Sequence, residues 1–542
     1  MASKNIHSKL LGLSISSAVL LTLGWPMFGF FPLLWIGFVP IFFAHYLIHT
    51  NNLGSLWVFV YGFIAFLGFN LGTTWWVYNA SAAGGILAFV LNALLMTLPL
   101  MVLHKFAIKH NNPIRIWPFI WAWLAFEYLH FRWDGTWTWL TLGNGFASVP
   151  KIVQWYEYTG VAGGSLWILW VNKSIYQLAL RYQNLDKNTR LKKIFNLAFF
   201  KLFAPIFFSF YVLSGWKDFK ENQSFRYSAN VLVVQPNIDP YKEKFDGLTA
   251  EQQTQIMLNI ADKNMDSSVQ LVVFPETALV GNLNERSLNE EETINLIRAF
   301  MHKYPQVNIL TGADSYKTYL PTEKPSETAR SWDNGVHYDV FNSAFFLSQN
   351  DSTIRTYHKS KLVPGVERLP FSSILKFVEK FAVDLGGTSG SLGIDKEPVV
   401  FNESPKLNIA PIICYESIFG DYVTEYIKRG ATLLCIITND GWWGNTPGYK
   451  QHMEYARLRA IETRRYVARS ANTGISGFID DEGNITNKTD WWVATSAKQK
   501  VFLNTNKTFY VEYGSIIGEI ALLLALYFII GLFYANKLII KS

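Results

Sequence analysis

The sequence predicts a polytopic α-helical membrane domain of about eight spans, interrupted before its last span by an extracytoplasmic α/β domain. Three observations lead there. Only 16% of the 542 residues are charged, where soluble domains average about 25%. From Leu10 to His104 there is no Lys, Arg, Asp or Glu at all, a stretch that no water-facing surface supports. Past residue 215 the composition becomes that of an ordinary globular domain of about 300 residues, long enough to close its own core.

Composition also excludes whole classes. With 50% hydrophobic residues, 16% aromatics and 2 Cys, the chain is neither disordered nor a disulfide scaffold. Residues 1–214 hold 14 Lys and Arg against 4 Asp and Glu, whereas the remainder holds 34 against 37. The net charge of +7 therefore comes from the hydrophobic part, and nucleic acid loses its electrostatic footprint as a partner. Fourteen of the 20 Trp lie in the same part, as suits rings that favour a bilayer interface.

A span needs roughly 20 apolar residues. Runs at 10–23, 33–48, 56–77, 85–103, 116–131, 160–180, 195–213 and 516–534 supply eight, the first two short and joined through Gly24-Trp25-Pro26. Lys4, Lys9 and the first run also fit a secretory signal. Gly24-Trp25-Pro26-Met27 is a poor cleavage site, however, so an uncleaved first helix is expected. Lys and Arg in short loops set the orientation. Lys4 and Lys9; Lys105, Lys109 and Arg115; Arg181, Lys187, Arg190, Lys192 and Lys193; and Lys537 with Lys541 all fall on one side of an eight-span chain. Both termini are then cytoplasmic. The expected division is 1–215 for spans one to seven, 216–513 for an extracytoplasmic domain, and 514–542 for the final span and tail.

Within the insert, β-rich runs at 230–234, 270–274, 307–311, 342–347, 408–414, 432–438 and 466–470 alternate with amphipathic stretches at 249–264, 290–303 and 452–463. Runs such as Leu433-Leu434-Cys435-Ile436-Ile437 are apolar throughout, which predicts sheets covered on both faces with helices outside them. Residues 318–333 are polar and contain Pro; they read as a surface loop.

Three strand ends deliver reactive side chains into turns. Glu276 follows Leu271-Val272-Val273-Phe274-Pro275, Cys414 follows Ile409-Ala410-Pro411-Ile412-Ile413, and Lys359 follows an expected strand at 353–357. A thiol attacks as thiolate, so it needs a base and a nearby cation. A shielded carboxylate can accept a proton near neutral pH, and an ammonium can hold the oxyanion formed on attack. Each residue also fits an ordinary role: Cys414 as a small buried hydrophobe, Glu276 as a helix cap, Lys359 as a solvated side chain beside Lys361. A Cys414–Cys435 disulfide is a further alternative, although Cys435, mid-strand in an apolar run, reads as core. The ten His are scattered; no metal site and no cofactor are expected, and His452 belongs with a helix start.

These Glu, Lys and Cys segments, in that order, resemble the carbon–nitrogen hydrolase (nitrilase) superfamily with its Glu-Lys-Cys triad. Asn439-Asp440-Gly441-Trp442-Trp443-Gly444 is similar to the turn downstream of that superfamily's Cys. Arg457-Leu458-Arg459-Ala460-Ile461-Glu462 is similar to the helix that follows, and Asn472-Thr473-Gly474 to the next turn. The resemblance implies a four-layer αββα sandwich. Together with the spans it points to the apolipoprotein N-acyltransferase family, carried by Val233-Val234-Gln235-Pro236-Asn237-Ile238, by Leu362-Val363-Pro364, and more weakly by Trp139-Leu140-Thr141-Leu142-Gly143 and residues 160–164. Two positions depart from the family pattern. Pro364-Gly365-Val366-Glu367 stands where Pro-Phe-Gly-Glu is common, and Lys244-Phe245 where Lys-Trp is common, which keeps a ring without its indole N–H.

The resemblance implies two-step acyl transfer on the outer face of a bacterial inner membrane. Glu276 takes the thiol proton of Cys414, the thiolate attacks a phospholipid ester, and Lys359 stabilises the oxyanion while a thioester forms. The N-terminal amine of a diacylated apolipoprotein then takes the acyl chain. Glu367, Glu416 and Tyr415 are implied supports, Phe245 and Trp442 implied substrate contacts. Residues 369–378 and 386–390 read either as lipid-touching arms or as an ordinary packed helix and loop. Two rival readings remain. A membrane-tethered amidase or nitrilase would resolve the same thioester with water. A transporter with a non-catalytic sensory domain would gather ionisable residues within its spans, where Glu127, Lys173, Lys201 and Glu519 are the candidates.

Overall fold

The computed structural model describes residues 2–222, 227–244, 247–368, 391–404 and 406–539. Phe245 and the expected arms at 369–378 and 386–390 lie outside these residues. The chain divides into two compact units, one comprising Met1–Tyr78, Ala82–Asp218 and Tyr513–Ser542, the other Asn79–Ser81 and Phe219–Glu512.

In the first unit, helices form at all eight expected places. Among the described residues, six are long and apolar enough to cross a membrane: Asn5–Gly24, Phe31–Thr50, Ser55–Thr74, Ala82–His110, Lys187–Glu221 and Ile516–Phe533. The other two differ for physical reasons. Trp117–His130 has 14 residues, about 21 Å at 1.5 Å per residue, against a hydrocarbon core of about 30 Å. Val161–Arg181 has 21 residues but carries Asn172 and Lys173, which lower its apolar character. Asn172 has a structural use. Its carboxamide accepts from the Phe38 N–H at 2.8 Å and donates to the Leu34 carbonyl at 2.7 Å. Those backbone groups are freed where the second span breaks between the 3-10 turn Phe31–Trp35 and the helix Val39–Thr50, and an apolar surrounding demands that they be paired. Gly143 and Gly164 permit close backbone packing: a Cβ on Gly143 would lie 2.0 Å from the Val161 carbonyl, and one on Gly164 1.8 Å from the Tyr156 hydroxyl.

Among its described residues the second unit has fourteen strands in chain order: β1 Ser228–Gln235, β2 Val269–Val273, β3 Leu279–Asn284, β4 Asn308–Thr318, β5 Arg330–Ser331, β6 His337–Ser348, β7 Asp351–His358, β8 Phe401–Asn402, β9 Asn408–Ile413, β10 Leu433–Thr438, β11 Val467–Ala471, β12 Gly477–Ile479, β13 Ile485–Thr486 and β14 Thr495–Phe502. One sheet runs β14-β1-β2-β4-β6-β5, with β3 also on β4 and β7 on β6; the other runs β13-β12-β11-β10-β9-β8. Both have parallel centres, β1-β2-β4 and β9-β10-β11, as helical crossovers require.

Period-two alternation splits the apolar strands between two cores. Val231, Val233, Leu271, Val273 and Leu310 face the second sheet, packing with Ile409, Ile412 and Ile436. Leu232, Val234, Val272 and Ile309 face outward onto the helices Ala250–Asp262 and Glu292–Lys303 through Met257, Ala261, Ile294 and Ile297. The helices Gly420–Lys428 and Pro447–Thr463 contribute Val423, Ile427, Met453 and Ala456 to the core of the second sheet. The result is the four-layer αββα sandwich. Cys435 is fully buried in that core, and both Cys are free thiols. The strand expected at 307–311 extends to Thr318 as β4, and the polar stretch 318–333 includes the two-residue β5.

Candidate active site

Three strand ends converge on the face of the first sheet that looks toward the second. Cys414 follows β9 and opens the 3-10 turn Cys414–Ile418 with φ +48°, a left-handed conformation that costs a non-glycine residue about 1–2 kcal/mol. Its neighbours hold it there. The Ser417 hydroxyl donates to the Cys414 carbonyl at 2.7 Å, and His452 Nε2 lies 3.3 Å from the same oxygen. Lys359 leaves β7 with its N–H donating to the Asn342 carbonyl at 2.9 Å. Glu276 sits in the turn after β2, against Gly312 of β4: a Cβ there would come within 2.6 Å of the Glu276 Cα.

These ends bring Glu276, Lys359 and Glu367 into direct contact. Lys359 Nζ donates to Glu276 Oε1 at 3.0 Å and to Glu367 Oε1 at 2.8 Å. Asn342 Nδ2 bridges the same two oxygens at 2.8 and 3.0 Å. The second oxygens take backbone N–H groups, Asn439 onto Glu276 at 3.0 Å and Val363 onto Glu367 at 2.7 Å. The turn at Pro364-Gly365-Val366 therefore still delivers Glu367 to the lysine, despite its departure from the family pattern.

Charge follows from this geometry. Burial raises the Glu276 carboxyl, but Lys359, Asn342 and Lys244 outweigh it and hold the group below the usual carboxylate range. Burial opposes the Lys359 ammonium, yet Glu276, Glu367 and Cys414 push it well above its ordinary value. The Cys414 thiol is pushed up by burial and by the charges of Glu276 and Asp440, against the pull of Lys359 and a Thr438 hydrogen bond. At rest the site thus holds a neutral thiol, an ionised carboxylate and an ammonium. That is the state in which a carboxylate can take the thiol proton as attack begins, with the ammonium beside the developing oxyanion.

Glu416 ties the Cys414 and Lys359 turns together. Its side chain accepts from the Ile413 N–H at 2.8 Å, the Ser360 N–H at 2.7 Å, the Lys361 N–H at 3.2 Å and the Tyr357 hydroxyl at 2.5 Å. Burial nonetheless lifts this carboxyl to about 7. Tyr415 is buried with its ring edge-on to Phe419 at 5.2 Å. Trp442 stands on the turn Asp440–Trp443, where its carbonyl accepts from the Tyr241 hydroxyl at 2.8 Å and the two rings meet at 5.3 Å. Among the described residues no group of three or more His, Cys, Asp and Glu side chains is arranged to hold a metal ion.

The carbon-nitrogen hydrolase family model matches residues 231–502, and the model of the apolipoprotein N-acyltransferase N-terminal domain matches residues 17–174. The chain belongs to the apolipoprotein N-acyltransferase family of carbon–nitrogen hydrolases. It is 29% identical to the apolipoprotein N-acyltransferase of Chlorobaculum tepidum over 96% of both chains. It is 24% identical to that of Thermotoga maritima over 95% of this chain and 92% of the other. Among solved structures it is similar to an amidase from Nesterenkonia, at 13% identity and a TM-score of 0.36, covering 54% of this chain and 96% of the amidase.

Sequence reasoning within this family did not single out Asn342, Asp314 or the brace behind the nucleophile turn. That brace joins Asp440 to the Arg469 guanidinium at 2.6 Å and to His452 Nδ1 at 2.9 Å, and His452 Nε2 to the Ser417 hydroxyl at 2.9 Å. His452 lies near the start of its helix, as its sequence position suggests. The run 342–347 marks a strand but not which of its faces meets the triad.

Proposed function

We propose that this chain transfers an acyl group from a membrane phospholipid to the N-terminal amine of diacylated apolipoproteins through a thioester on Cys414. The observation that carries the reading is the strained Cys414 turn facing the buried Glu276–Lys359 pair, in a chain whose other unit is a set of apolar helices. Glu276 accepts the thiol proton as sulfur attacks the ester carbonyl, and Lys359 donates to the oxygen that becomes negative. On collapse the proton passes from Glu276 to the departing lysophospholipid oxygen, leaving the thioester. Glu367 holds Lys359 in place, Glu416 sets the distance between the nucleophile and lysine turns, and Tyr415 packs beneath the first of them. Phe245 and Trp442 contact substrate. The domains divide at 1–215, 216–513 and 514–542, with the catalytic part on the periplasmic side of the inner membrane. Spans on either side of the insert keep it beside its lipids, since drawing an acyl chain into water costs roughly 0.8 kcal/mol per CH₂.

The test is incubation of the purified full-length protein with labelled phospholipid. A hydroxylamine-sensitive adduct forms on the parent and is absent from Cys414→Ala, and a diacylated lipopeptide with a free amine then removes the label as an amide. An adduct on Cys414→Ala refutes the nucleophile; release of free fatty acid alone refutes the acceptor.

A further inference from the structure

Amide formation leaves one proton that Glu276 does not account for. An α-amine titrates near pH 8 in water, so the acceptor arrives largely as an ammonium and must lose two protons to become an amide nitrogen. One travels through Glu276 to the departing sulfur of Cys414. The other must leave before attack, because an ammonium has no lone pair, and it needs a base beside the amine.

Asp314 is placed for that step. It lies on β4 directly opposite Asn342 of β6 in the antiparallel register, and directly opposed residues project to the same face. Asn342 reaches Glu276 and Glu367 on that face. The alternate positions point the other way, where the Ser315 and Ser343 hydroxyls meet at 2.6 Å. Asp314 is half-buried, and among the described residues no hydrogen bond is made to its carboxylate. Both oxygens of Glu276 and of Glu367, by contrast, already accept hydrogen bonds. The charged groups acting on Asp314 come from three segments: Lys244 after β1, Glu276 after β2 and Glu367 after Lys359. Burial and the two glutamates lift its carboxyl to about 7 against the pull of Lys244, within reach of an amine's own range.

We propose that Asp314 binds the α-ammonium of the acyl acceptor and removes its first proton. This rests on the acyl-transfer reading above. The N–H bond breaks toward the Asp314 carboxylate and the freed lone pair attacks the thioester carbonyl. The second N–H proton passes to Glu276 and on to the Cys414 sulfur as the C–S bond breaks. Asp314 returns its proton to solvent.

The experiment separates the two half-reactions in the full-length protein. Asp314→Asn forms the hydroxylamine-sensitive adduct within about threefold of the parent rate, while transfer to a diacylated lipopeptide falls about a hundredfold. Its transfer rate also keeps rising from about pH 7 to about pH 9, as the free amine does, where the parent levels off. Asp314→Glu restores most of the transfer. Unchanged transfer in Asp314→Asn overturns the inference, as does an equal loss of both half-reactions, which marks a purely structural role. A parent that forms no adduct sinks the acyl-transfer reading itself, and the inference with it.

Discussion

Replacing Lys359 with Met would leave the buried Glu276 and the half-buried Glu367 carboxylates facing each other without their shared cation. The lysine side chain is 1% exposed and stands 3.0 and 2.8 Å from Glu276 and Glu367. Breaking a buried pair from one side costs about 3–5 kcal/mol, and at about 2 °C per kcal/mol for a large domain the apparent melting temperature falls by about 6–10 °C. The pH dependence is more specific. In the parent Glu276 is held below its ordinary value, so its contribution is full above the unfolded value near pH 4.3 and is lost as pH falls through the folded one. In Lys359→Met the largest cause of that depression is gone, and burial outweighs what Asn342 and Lys244 still supply. The carboxyl then titrates above its unfolded value, and the penalty is full only above the raised one. The melting deficit is therefore large at about pH 8 and narrows toward about pH 5. Thermal scans of the full-length protein in detergent at both pH values measure it, alongside adduct formation, which drops about 10²–10³-fold with loss of the oxyanion donor. An equal deficit at the two pH values would refute the reasoning.

Three further outcomes follow from local geometry. Gly312→Ala puts a Cβ 2.5 Å from the Pro275 carbonyl and the Thr277 nitrogen, backbone atoms that cannot swing aside. The cost is about 1–3 kcal/mol, and displacement of the Glu276 turn slows adduct formation about a hundredfold, a loss that cooling does not restore. Glu462→Gln removes the partner that pairs with Arg459 through two 2.7 Å contacts, both side chains fully buried. About 3–5 kcal/mol of stability is lost, so melting falls sharply while the adduct still forms at low temperature. Glu416→Gln turns an amide donor toward one of the N–H groups of Ile413, Ser360 or Lys361. It costs about 1–3 kcal/mol and slows adduct formation, because the Cys414 and Lys359 turns are no longer held by one carboxylate.

Much of this was legible in the linear chain because the relevant signals are local. An uncharged stretch from Leu10 to His104 has few solutions other than apolar helices, and each of the expected β-rich runs in the insert is a strand. Glu276, Lys359 and Cys414 were legible as chemistry because each ends a strand. Other features were not. Asn342 reads as one polar residue in a strand, and only pairing across β4 and β6 shows that its amide joins Glu276 to Glu367. His452 and Arg469 look like scattered polar residues until the fold places both around Asp440.

The order of residues alone determined which segments shun water, where strands alternate with helices, and which three side chains have the chemistry of a thiol, a base and a cation. Those properties depend on neighbours a few positions apart. Tertiary structure decided what those side chains are. Lys359 lies 83 positions from Glu276, and Glu276 lies 163 positions from the Asn439 N–H that holds its second oxygen. Whether a carboxyl is ionised, a thiol neutral or an aspartate half-charged depends on the charges and the water left around it, and sheet pairing assembles those surroundings from parts of the chain that no local pattern connects.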